Sequence, residues 1–69
     1  MELEVGNIIT RKSDKTRYKI IDIFCCNKSP LKYYVLKDIW HKYSEPIIVR
    51  EKEIFENFKY KYIYYREVN

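Results

Sequence analysis

A chain of 69 residues is one domain near the lower limit of independent folding and buries about 60% of the surface its unfolded form exposes. Hydrophobic residues make up 46% and charged residues 35%, and eight Tyr, three Phe and one Trp make the chain too aromatic for disorder. No run of about 18 apolar residues is present, which excludes a membrane-spanning helix. The opening MELEVGN has no apolar core of a signal peptide, so the cytoplasm is the expected setting. Strand formers dominate the rest of the chain, in short runs separated by polar punctuation. Leu3 to Thr10 reads as the first strand, with Gly6 and Asn7 marking a turn or a bulge inside it. RKSDK (11–15) is a polar loop. Thr16 to Cys25 is a second strand with apolar residues in both phases, as expected for a strand that is central, bulged, or buried on both faces. NKSPLK (27–32) is a turn, Tyr33 to Trp40 a third strand, HKYSEP (41–46) a turn, and Ile47 to Arg50 a fourth strand. EKEIFENF (51–58) lacks alternation, and Ile54 and Phe58 at a spacing of four suit one or two helical turns. KYKYIYYREV (59–68) closes as a fifth strand. The connections are too short for parallel crossovers, so the expected fold is all-β: one domain over 1–69, an antiparallel five-stranded sheet bent on itself.

The pattern Val5-Gly6-Asn7-Ile8-Ile9, Tyr18 to Ile23, Tyr34-Val35-Leu36-Lys37, Ile47-Ile48-Val49 and Ile54-Phe55 before a last strand resembles the small SH3-like barrels. Tudor and KOW domains and many short phage and bacterial proteins share that layout. The resemblance implies a small five-stranded SH3-like barrel with one short helical turn near 51–58. The absence of Ala and Gln, with abundant Ile, Lys and Tyr, points to an AT-rich source such as a phage or mobile element.

Catalytic and metal-dependent chemistry finds little support. Cys25 and Cys26 are adjacent, so they make neither a spaced zinc pair nor an unstrained disulfide; both are expected as thiols, one facing inward and one outward. Cys25 or Cys26 with His41 and Asp38 supplies the residue types of a nucleophilic triad, but a domain this thin offers no room for a closed pocket. A single glycine cannot form a phosphate-cradling loop. The expectation is a binding protein without enzymatic activity, cofactor, metal or small-molecule substrate.

Charge carries more information. Arg11, Lys12, Lys15, Arg17 and Lys19 are opposed only by Asp14, so this segment alone holds the chain's net charge of +4. Lys59, Tyr60, Lys61 and Tyr62 interleave cations with rings, which suits base stacking beside phosphates and equally a protein interface. With Phe24, Phe55, Phe58, Trp40 and the isoleucines expected to compete for the core, several tyrosines must lie outside it. Two functions are compatible with this surface. One is nucleic-acid binding through the basic loop and the Lys/Tyr surface. The other is a protein-binding inhibitor or adaptor docking on a host complex, of the anti-defence or anti-CRISPR type. A homodimer through the last strand is a further possibility.

Overall fold

The computed structural model describes residues 3–25 and 31–60. Strand β1 (Ile8–Arg11) is followed by β2 (Arg17–Cys25), β3 (Lys32–Asp38) and β4 (Ile47–Arg50), then helix α1 (Glu51–Asn57) and β5 (Phe58–Lys59). The five strands form one antiparallel sheet in the order β4-β3-β2-β1-β5, curled into a half-barrel. The curl follows from chain length. Four interstrand steps of about 4.8 Å would separate the edges by about 19 Å in a flat sheet. Helix α1 runs from one edge strand to the other without a linker, and seven helical residues reach only about 10.5 Å.

Every element contributes to the core: Ile9 from β1, Tyr18 and Ile20 from β2, Tyr34 and Leu36 from β3, Val49 from β4, Ile54 from α1 and Phe58 from β5, with Leu3 packed beneath. Tyr18 and Phe58 meet edge to face with ring centroids 6.0 Å apart. The larger rings expected in the core are mostly elsewhere. Phe58 is buried, but Phe24 on the outer face of β2, Phe55 on the solvent side of α1 and Trp40 in the turn after β3 are exposed.

The first strand is shorter than expected. Gly6 has φ +101°, a conformation that favours glycine, and it closes a turn in which the Asn7 N–H donates to the Glu4 carbonyl and the Glu4 N–H to Asn7 Oδ1. The strand therefore starts at Ile8. Strand β2 resolves its two apolar phases with a bulge between Ile20 and Asp22. Before it, Tyr18 and Ile20 point inward; after it, Ile23 takes the inward place, opposite Tyr34, and Asp22 stays in solvent. Strand β3 ends at Asp38, whose carboxylate accepts from the N–H groups of Trp40 and His41 and so draws the backbone out of the ladder after Ile39. Of the expected fifth strand, Phe58 and Lys59 pair with β1, and residues 61–68 lie outside the described ones.

Candidate nucleic-acid interface

The β1–β2 hairpin is closed by the Arg11 N–H donating to the Thr16 carbonyl at 2.8 Å, with Lys15 in the left-handed region at φ 63°. Register then decides where each cation goes. Thr10 stands opposite Arg17 on one side and Lys59 on the other, and Ile8 stands opposite Lys19. Directly opposed residues share a face. Ile9 and Tyr18 fill the inner face, so Lys59, Thr10 and Arg17 form one row across the outer face. Ile8 and Lys19 begin a second row, which Lys37 of β3 continues. Lys37 sits directly across from Lys19, and its ammonium turns away to donate to the carbonyls of Ser44 and Lys42. An open groove of about 580 Å³ follows the first row, lined by Ile8, Thr10, Lys15, Arg17, Lys59 and Tyr60. Three cations line it and no carboxylate does, among the described residues.

Arg11 and Lys12 belong to the other side of the hairpin. Arg11 shares the inner face with Ile9, so its guanidinium lies 5.2 Å from the centre of the Tyr18 ring and grips Asp14 through two bonds, of 3.1 and 2.8 Å. That grip raises the guanidinium above its ordinary value. It also holds the Asp14 carboxyl well below the usual carboxylate range, with help from the Thr16 N–H. Lys12 covers the end of α1, its N–H donating to the Asn57 carbonyl at 2.8 Å and its ammonium to the Glu56 carbonyl at 3.3 Å. Helix α1 has no basic residue in its last turn, so Lys12 supplies the missing cation from the hairpin. The basic loop is thus divided: Arg11 and Lys12 are committed to internal contacts, Lys15 and Arg17 share the groove with Lys59, and Lys19 stands in the next row.

Tyr60 is half-buried, packed against the core and 6.2 Å from the Phe55 ring, so it walls the groove more than it presents a face. Lys61 and Tyr62 lie outside the described residues.

No family model, curated protein or solved structure matches this chain.

The turn expected over 41–46 is present, and the exposed rings at its start are the feature that sequence reasoning misses. Trp40 and Tyr43 are 70% and 92% exposed, with His41 and Lys42 between them. Asp38 fixes this turn through its bonds to the Trp40 and His41 N–H groups and through His41 Nδ1, 2.7 Å from its Oδ2. Partial burial pushes the Asp38 carboxyl up, but the His41 ring and the two N–H groups outweigh it and hold the carboxyl below its ordinary value. The available signal was local: two rings and a cation within four residues of a polar turn. The same geometry separates the residues of the imagined triad. Cys25 pairs with Lys32 at one end of the β2–β3 ladder and Asp38 with Tyr18 at the other, about 23 Å away along β2. Cys25 is exposed, and Cys26 lies outside the described residues. Among the described residues no cluster of His, Cys, Asp and Glu could hold a metal ion, and no helix is long and apolar enough to cross a membrane.

Proposed function

We propose that this chain is a binding module whose outer sheet face takes nucleic acid through the phosphate backbone. The observation that carries the reading is the row from Lys59 across Thr10 to Arg17, which shares with Lys15 a groove that no carboxylate lines among the described residues, with Lys19 in the neighbouring row. Three cations on a sheet face, with Lys15 on the adjoining hairpin turn, attract a polyanion, and releasing its condensed counterions supplies the affinity. Neutralising about three to four phosphates gives a log–log salt slope of roughly −2 to −3 on a single strand and −3 to −4 on a duplex. Such contacts position a strand and do not read its bases, so binding is tolerant of sequence.

Titration of short single- and double-stranded oligonucleotides at two salt concentrations tests this. Arg17→Ser and Lys59→Ser should each shrink the slope by about 0.7 to 0.9. Absence of binding at about 50 mM salt would end the reading. A second reading, a protein-binding inhibitor or adaptor, draws on the Phe24–Tyr33 pair, stacked at 5.4 Å and 13° on strands β2 and β3. Binding to a protein partner that falls on Phe24→Ser and depends weakly on salt would favour it.

A further inference from the structure

We infer that the turn carrying Trp40 and Tyr43 is a base-stacking platform, which makes the ligand of the outer face single-stranded nucleic acid. This rests on the proposed nucleic-acid function and narrows its ligand. Three observations support it. First, a chain short of core leaves its one tryptophan 70% exposed and Tyr43 92% exposed, giving up apolar burial that a small domain can ill spare. Second, the turn that presents them is held in place. Asp38 takes the N–H groups of Trp40 at 2.8 Å and His41 at 3.2 Å, Ser44 donates to the His41 carbonyl through both its N–H and its hydroxyl, and Lys37 ties down the carbonyls of Lys42 and Ser44. The backbone of a turn fixed in this way needs no further ordering when a base stacks on its rings.

Third, the turn adjoins the cations. The Ile39 N–H donates to the Arg17 carbonyl, which continues the ladder by one residue and extends the outer row to Lys59, Thr10, Arg17 and Ile39, with Trp40 next in the chain. Lys37, which anchors the turn, is the direct neighbour of Lys19. Three interstrand steps from Lys59 to Ile39 cover about 14 Å, and about four stacked nucleotides at 3.4 Å each fill that path. A strand lying along it places its phosphates by the cations and a base at the turn, where Lys42 lies between Trp40 and Tyr43 in the sequence. In a duplex the base faces are already stacked on one another, so only an unpaired strand can use both halves of the surface.

Because Trp40 is the chain's one tryptophan, its emission reports on the platform directly. The probes are a fluorescein-labelled oligo-thymidylate of about 15 nucleotides and a duplex of equal length, followed by anisotropy and by tryptophan emission at low salt. The expected result is tighter binding of the single strand, with Trp40 emission quenched by it and nearly unchanged by the duplex. Trp40→Ala and Tyr43→Ala should each weaken single-strand binding by about 5- to 150-fold and duplex binding by less than about twofold, and Trp40→Phe should keep most of the affinity. Salt-dependent binding of both probes with unchanged Trp40 emission would overturn the platform and leave the phosphate-binding face intact. Equal losses on both probes in Tyr43→Ala would overturn it as well. Binding of neither probe would remove both proposals. Should Trp40→Ala fail to fold, the emission of the parent protein and the Tyr43→Ala variant still decide.

Discussion

Helix α1 exists because one side chain holds it, and replacing that side chain exposes the dependence. Seven residues are too few for a helix to persist alone in water, where about 12 to 15 are needed even for favourable sequences. Its N-cap, Arg50, makes no side-chain cap bond, and its last carbonyls depend on Lys12 from the hairpin. Ile54 is its sole buried residue and is fully enclosed by the core. Truncating a buried isoleucine to alanine costs about 2–5 kcal/mol, including the cavity left behind. A domain of this size has a total stability of roughly 3–5 kcal/mol. Ile54→Ala should therefore lower the melting temperature by at least about 8 °C, at 4–8 °C per kcal/mol, and can unfold the chain outright. Ile54→Val, at about 0.5–1.5 kcal/mol, should fall between. Far-UV circular dichroism melts would show this. A variant Ile54→Ala melting within about 3 °C of the parent would refute the claim that this contact holds the helix.

Gly6→Ala should cost about 1 kcal/mol or more from backbone strain alone, because a Cβ there meets nothing within 4 Å while φ is +101°; an unchanged urea midpoint would count against the turn. Arg11→Ser should lower the melting temperature and leave the salt slope of oligonucleotide binding unchanged, whereas Arg17→Ser should do the reverse; equal effects on the slope would return Arg11 to the binding face. Asp14 binds its proton more weakly in the folded chain than in the unfolded one, so its contribution is complete above the unfolded value of about 3.9 and fades as pH falls below it. Asp14→Asn should accordingly melt lower than the parent at pH 7, with the gap closing toward pH 2; a gap constant with pH would disprove the ion pair's part. Exposed Cys25 should accept Ser with a change of about 0.5 kcal/mol or less, measured by urea unfolding.

Much of this architecture is legible in the sequence where one signal dominates. Ile47 to Arg50 stands out between Pro46 and a run without alternation, and β4 has those ends. Ile54 and Phe58 are spaced for a helical turn and both are buried, but the helix ends at Asn57 and Phe58 opens β5. Arg17 and Lys19 alternate with Tyr18 and Ile20, and their outward direction is readable from that. The place of the bulge, at Ile21, is not readable, since two apolar phases permit several registers and only pairing with β3 selects one. Counting charge along 11–19 also fails to distinguish the two sides of a hairpin. Arg11 has the same parity as Ile9, so the inner face claims it, and Lys12 is drawn to a helix end far away in sequence. Trp40 is assigned to the core by its size, but a carboxylate two residues earlier turns the chain before the ring can reach it.

The single pairing of β5 with β1 has a consequence for how the molecule assembles. The ladders β1–β2, β2–β3 and β3–β4 all join strands adjacent in sequence, so each can zip from its own turn. Joining Thr10 to Lys59 instead requires closing a loop that contains nearly every other element, for two residue pairs among the described residues. This seam is expected to form late and to open first, with the amides of β5 exchanging faster than those of β2 and β3. Lys59 rides on the seam, so a polyanion that engages Lys59 and Arg17 together would pin the last strand and slow that exchange.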